Sequence, residues 1–166
     1  DVPVGVVGEI IARGPNVMKG YWRMPEVTAK TMRGGWLHTG DLARVDEDGY
    51  IYIVDRANDA IISGAENIYP AEIERVIDNH PSVLESAAFG VPDEKWGEAV
   101  MAAVVLKPGK TATAEEIIQF CKENMASYKK PKYVEFVDAL PRNASGKILK
   151  RVLRAKHWGG QDRMVH

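Results

Sequence analysis

Apolar and polar residues alternate in short stretches up to residue 54 and gather into longer apolar blocks beyond residue 59, so the two parts of the chain predict different structures. Gly-Glu-Ile-Ile-Ala-Arg at 8–13 reads as a strand, closed by the turn signal Gly14-Pro15-Asn16. Residues 37–45 and 50–54 read as a hairpin of alternating inward and outward side chains about Asp46-Glu-Asp-Gly49. Between 16 and 35 the pattern gives no convincing long helix. An excursion of that length with few apolar anchors would be poorly supported alone, which predicts the trailing edge of a larger domain.

A polar joint, Asp55-Arg-Ala-Asn-Asp59, separates this region from a more regular one. Ile61-Ile62 reads as a brief strand and Ser63-Gly-Ala-Glu-Asn67 as a loop. Pro70 opens a helix with Ile73, Val76 and Ile77 on one face and Glu72, Glu74 and Asp78 on the other, its early acidic residues favouring the positive end of the dipole. Residues 83–91 and 99–106 read as strands separated by a long surface loop, Pro92-Asp-Glu-Lys-Trp-Gly97. Thr113 and Glu116 form a capping-box pattern ahead of an apolar stripe of Ile117, Phe120, Cys121 and Met125. Residues 133–137 return as a strand, and Ser145 is placed to cap a last helix with Ile148, Leu149, Val152 and Leu153 facing inward. The second region is thus expected to be a small α+β domain, its helices packed on a modest sheet.

With 166 residues, 45% of them apolar, the chain can bury a real core as one large or two small domains. Its 22 basic and 23 acidic side chains leave a formal charge of −1, so no general attraction to nucleic acid or anionic lipid is expected, and any bound phosphate must be held locally. The opening Asp1-Val-Pro-Val-Gly has neither a basic leader nor a long apolar stretch, and no transmembrane segment is expected. A single cysteine, Cys121, cannot form an internal disulfide, so the expected setting is reducing and cytoplasmic. His38, His80, His157 and His166 lie far apart without ligand spacing and read as surface or packing residues, so no metal site is expected from them.

Two polar clusters point to chemistry. Lys147 follows Gly146 and precedes an apolar helix face, so its ammonium would leave the first helical turn from a flexible shoulder and could reach an anionic centre between two reactants. Its alternative is a solvated lysine at an ordinary helix start. Asp41, in Thr39-Gly40-Asp41, places a carboxylate where a strand turns, and a carboxylate can accept two hydroxyl hydrogen bonds from a ribose; the alternative is an edge-turn carboxylate. Arg56 either contacts a nucleotide or pairs with Asp55 or Asp59. Gly64 permits a left-handed backbone or a close ligand approach, or is a plain turn glycine. Tyr128-Lys-Lys-Pro-Lys132 is a basic knot that could meet a phosphate or remain solvated, and Lys150, Arg151 and Arg154 read as outward-facing helix charges.

Taken in order, Gly20-Tyr21-Trp22, Gly35-Trp-Leu-His-Thr-Gly-Asp41-Leu, Asp48-Gly-Tyr, Val54-Asp-Arg56, Ile61-Ile-Ser-Gly64, Glu66-Asn67-Ile-Tyr-Pro70-Ala-Glu72-Ile-Glu74 and the stretch from Pro141 to Arg151 cover nearly the whole chain. Together they resemble the C-terminal end of an AMP-forming acyl-CoA synthetase, in the superfamily that also holds peptide-synthetase adenylation domains and beetle luciferases. The resemblance implies a small mobile C-terminal domain at 59–166, a hinge at 55–58, and at 1–54 the last strands of a large nucleotide-binding N-terminal domain. It implies ATP with Mg2+, whose ion site would lie outside this chain, and CoA as cofactors. The partners would be the N-terminal domain, a small carboxylic acid and CoA, with homo-oligomer formation left open.

By the same resemblance Asp41 would hold the ribose hydroxyls, joined by Arg56; Asn58 would be the hinge; Gly64 would flank the tunnel for the pantetheine thiol; and Lys147 would reach the carboxylate and the α-phosphate during adenylation. Asn58 departs from the lysine or aspartate common at that position, and Ala65 from a frequent second glycine. No Ser/Thr/Gly-rich phosphate loop is present, so the chain alone is expected to be inactive. The expected activity of the whole enzyme is an acid–CoA ligase acting on a fatty acid. An aryl-acid ligase, a peptide-synthetase adenylation domain and a free-standing interaction module are the alternatives.

Overall fold

In the computed structural model, which describes residues 1–159, the alternating front third builds a three-stranded antiparallel sheet in the order β1-β2-β3, with β1 at Gly8–Ala12, β2 at Leu37–Val45 and β3 at Ile51–Arg56. The segment 160–166, and with it His166, lies outside the described residues. The chain divides into two units, Asp1–Asn58 and a second beginning at Asp59.

Two features of the first unit differ from the sequence reading. A short helix, α1 at Pro25–Thr31, stands inside the excursion, started by proline at its first position and with Thr28 Oγ1 donating to Met24 O at 2.8 Å. Its seven residues are too few to show helical periodicity. The strand β3 also runs through Asp55 and Arg56, so the first half of the expected joint is paired backbone. Ala43 alone is fully buried here, while Val2, Val4, Tyr50, Ile51 and Ile53 are each more than half exposed.

In the second unit, β6 (Val83–Asp93) and β7 (Gly97–Leu106) form a long antiparallel hairpin. The far edge of β7 is shared: β4 (Ile61–Ser63), itself paired with β5 (Glu66–Ile68), meets it at Gly97, and β8 (Tyr133–Phe136) runs parallel to it from Met101 to Val104. Side chains alternate across this sheet into two cores. Ala88, Val100, Ala102 and Val104 face one way with Ile73 and Ile77 of α2 (Pro70–Asp78) and Ile117 and Cys121 of α3 (Ala114–Asn124). Ala87, Phe89, Met101, Ala103 and Val105 face the other way with Leu140 and with Leu153 of α4 (Lys150–Trp158). A sheet covered on both faces explains why β6 and β7 read as continuous apolar blocks. Burial pushes the Cys121 thiol up to about 11, which leaves it an inert packing group.

The Thr113 capping box forms as the sequence indicates: Thr113 Oγ1 accepts the Glu116 N–H and Glu116 accepts the Thr113 N–H. Elsewhere the structure corrects the reading. The expected loop at 63–67 is a tight hairpin turn between β4 and β5, and the long loop at 92–97 shrinks to Glu94, Lys95 and Trp96 because both strands extend into it. Neither extension shows as apolar alternation, since Pro92, Asp93 and Glu98 are polar or helix-breaking residues in paired positions.

The acidic face of α2 is also not simply solvated. Glu74 accepts the Ala88 N–H of the edge strand β6 at 2.7 Å and pairs with Lys150 Nζ at 2.8 Å, and Asp78 accepts from Ser86 Oγ at 2.7 Å. Arg154 likewise pairs with Asp59 at 2.8 Å, so Lys150 and Arg154 are structural ion-pair partners and only Arg151 is an outward charge. The last helix begins at Lys150 with Leu149 as its N-cap residue and no side-chain cap, so Ser145 does not cap it; Val152, expected inside, is exposed.

Candidate functional site

Gly40 adopts a left-handed φ of +74°, which lets β2 kink while staying paired. Its N–H donates to Glu9 Oε1 at 3.0 Å and its carbonyl accepts the Ala57 N–H at 2.8 Å. Thr39 Oγ1 donates to Ile10 O at 2.8 Å and accepts the Asp41 N–H at 3.1 Å. Asp41 therefore sits within an irregular strand, beside a register shift between Leu42 and Ala43, and not at the turn that the sequence suggested. The same register puts Asp41 opposite Arg56, and Arg56 Nε pairs with Asp41 Oδ1 at 2.8 Å. Neither Asp55 nor Asp59 takes that role: Asp55 Oδ1 accepts the Arg56 N–H and Asp59 holds Arg154.

Glu9 organises this corner and escaped the sequence reading, because a single glutamate in a strand carries no local signal. Besides Gly40 it holds His38 Nδ1 at 2.7 Å and Arg33 at 3.1 Å. Burial raises its pKa, but the hydrogen bonds from His38 and Gly40 and the nearby charges of His38 and Arg33 together outweigh it, and the carboxyl lies below its ordinary value.

Asn58 is the exposed last residue of the first unit, in a turn between β3 and β4. Gly64 opens the two-residue turn between β4 and β5 with φ +63°, a value that side chains adopt only with strain. A cavity of about 310 Å³ lies beside it, lined by Gly64, Trp96, Tyr128, Lys130 and Lys132 among others. The basic knot thus comes to the glycine through the fold. Two of its lysines are tied down: Lys129 pairs with Glu72 at 2.7 Å and Lys132 with Asp93 at 2.5 Å. Lys130 lines the cavity with no ion-pair partner among the described residues.

Lys147 is exposed and does not line that cavity. It stands on a closed turn ahead of α4, not on the helix as expected. Asn143 Oδ1 accepts the N–H groups of Ser145 and Lys147 at 3.1 and 2.9 Å and the Ser145 hydroxyl at 2.9 Å. The Asn143 N–H returns to Lys147 O at 3.0 Å, and Gly146 turns the chain at φ +81°. Arg142 clamps the turn to Gly146 O at 2.7 Å and pairs with Glu85 of β6. Asn143 was read only as a glycan acceptor; an asparagine two residues before a Ser-Gly pair is also an Asx-turn signal. The structure thus brings Asp41 to Arg56 and Gly64 to the basic knot, and holds Lys147 on a separate loop.

Among the described residues no cluster of His, Cys, Asp or Glu side chains is arranged to hold a metal, and the resemblance places the Mg2+ site outside this chain. No described helix is long and apolar enough to cross a membrane.

The small α+β fold, its helices packed on a short sheet, is consistent with the family whose model residues 72–147 match, the AMP-binding enzyme C-terminal domain. The chain belongs to this family, as its motifs indicated. It is 48% identical to a fatty acid–[acyl-carrier-protein] ligase of Streptomyces coeruleorubidus, over 100% of this chain and 32% of the relative. It is 52% identical to a 2-succinylbenzoate–CoA ligase of a Geobacillus species, over 89% of this chain and 30% of the relative. The crystal structure of ATP-bound MatB from Rhodopseudomonas palustris superposes with a TM-score of 0.87 at 47% identity, over 93% of this chain and 31% of that one. The chain spans about a third of the length of the curated relatives it matches.

Proposed function

We propose that the chain is the C-terminal portion of an AMP-forming acid–CoA ligase. A carboxylate oxygen would attack the α-phosphorus of ATP and release pyrophosphate; the thiol sulfur of CoA would then attack the acyl carbon of the adenylate and release AMP. The observation that carries the reading is the separation of two stations on one unit, an exposed lysine on a hydrogen-bonded turn and a glycine-walled cavity with a cation at its side. The first suits a step in which two anions must meet, because an ammonium between them stabilises the crowded transition state more than the separated reactants. The second suits a step that admits a thiol along a narrow path and holds its phosphorylated nucleotide tail, with Lys130 as the phosphate contact and the exposed Tyr128 ring beside it.

Two stations for one reaction centre call for motion, and the unit boundary at Asn58 is where we place the swivel, between a first unit at 1–58 and the second from Asp59. The Asp41–Arg56 pair would bind the ribose through both steps. The apolar side chains exposed on the first unit, Ile51 and Ile53 among them, favour a unit completed by further protein, the N-terminal domain of the same enzyme, over a free-standing module. A fatty acid, expected from the sequence, is not the acid we favour. Several relatives that match about nine-tenths of the chain are named for an aryl acid and CoA, and the one named for a fatty acid is named for a carrier protein as well, which favours an aryl acid and free CoA.

Acid-dependent ATP–pyrophosphate exchange, run on the full-length protein with a panel of benzoates and fatty acids, tests this reading. Exchange with benzoates is the expected result, and exchange with fatty acids alone would overturn the acid class. Asp41→Ala should weaken ATP binding by about tenfold or more, the worth of a lost pair of charge-assisted hydrogen bonds. Calorimetry on the full-length protein reads this directly, and equal affinity in the variant would remove the ribose assignment.

A further inference from the structure

The carboxylate of Asp93, at the end of β6, is buried to 5% exposure and does not itself line the Gly64 cavity. Its Oδ1 accepts the N–H groups of Lys95 and Trp96 at 3.1 and 3.0 Å, and its Oδ2 accepts from Lys132 Nζ at 2.5 Å. The hydrogen bond from Lys132 holds its carboxyl below the ordinary range against the effect of burial, so the charged form persists. Trp96 meets Gly64 twice. Its carbonyl accepts the Gly64 N–H at 2.7 Å, and its Cε3 would lie 3.1 Å from a Cβ placed on Gly64. The ring itself is half exposed, so burial does not fix it.

We propose that Asp93 is a positioning residue for thioester formation: it fastens the three-residue turn so that the Trp96 ring forms a fixed wall of the cavity across from Gly64, with Lys132 as its fastener. This rests on the acid–CoA ligase reading and refines it, because it separates the basic knot by role. Lys132 is neutralised by a buried partner and anchors the wall, whereas Lys130 remains for phosphate. Without the Asp93 carboxylate, two turn N–H groups and one ammonium lose a common acceptor, and the ring no longer holds its place as a wall of the CoA path. Lys147 does not line this cavity, so adenylation should not register the change.

In the full-length enzyme, Asp93→Ala should raise KM for CoA by about tenfold while acid-dependent pyrophosphate exchange stays within about twofold. Asp93→Asn keeps a carbonyl oxygen for the two N–H donors and should return KM to within about threefold of wild type. Trp96→Ala should match Asp93→Ala, and the double variant should add nothing further. If Asp93→Ala does not fold, Asp93→Asn and Trp96→Ala still decide the matter. Equal loss in both half-reactions, an unchanged KM for CoA in Trp96→Ala, or additive effects would overturn the proposal. Should wild type form adenylate but no CoA thioester, the CoA reading itself fails and this proposal with it; a normal wild type with an indifferent Asp93→Ala rejects the positioning role alone.

Discussion

Lys147→Ala in the full-length enzyme is expected to lower adenylate formation by about two to four decades, the equivalent of about 3–5 kcal/mol for one major electrostatic contact to a transition state. Transfer from preformed acyl-adenylate to CoA should be almost unchanged. The asymmetry follows from geometry: Lys147 is exposed on a turn closed by Asn143, while the Gly64 cavity is lined by other elements. Folding should not confuse the result, since the Lys147 side chain supports no ion pair among the described residues and the turn is held through main-chain groups. Pyrophosphate exchange and single-turnover thioester formation read the two steps separately. Equal losses in both would show that the lysine does not divide them.

Gly64→Leu should do the reverse. The residue lies at φ +63°, where a side chain costs about 1–2 kcal/mol, and its first added carbon would already stand 3.1 Å from the Trp96 ring. The rest of a leucine would project toward the cavity that the thiol must cross. We expect thioester formation to fall by about a hundredfold or more, with adenylation within about twofold. Gly64→Ala separates the causes, because it carries the backbone strain with little of the obstruction and should fall between the two. A leucine variant with unimpaired transfer to CoA would place the thiol path elsewhere.

Much of the architecture is legible in the residues because burial on both sheet faces writes itself as apolar runs, as in β6 and β7, and because capping at Thr113 is a local, stereotyped exchange of hydrogen bonds. What is not legible depends on distant partners. Glu74 and Asp78 look like the wet face of a helix, yet β6 lies against them with an edge N–H and a serine to satisfy. The pairing of Arg56 with Asp41 follows from strand register, which no nearest-neighbour reading supplies; local sequence offers Asp55 and Asp59 instead. Lys147 is marked by its motif, but its turn belongs to Asn143, whose side chain accepts two backbone N–H groups and a hydroxyl ahead of the helix. The cavity at Gly64 joins residues from 63–68, 96–100 and 127–132, and only the folded sheet brings these together.

The central claim is that one small unit serves two chemically different half-reactions, and the most direct measurement is the product balance of the wild-type full-length protein supplied with ATP, a suitable acid and then CoA. Before CoA is added, pyrophosphate should appear in an acid-dependent burst matched by enzyme-held acyl-adenylate. On addition of CoA, acyl-CoA and AMP should form in equal amounts. Release of ADP and phosphate, or AMP without a CoA thioester, would contradict the account.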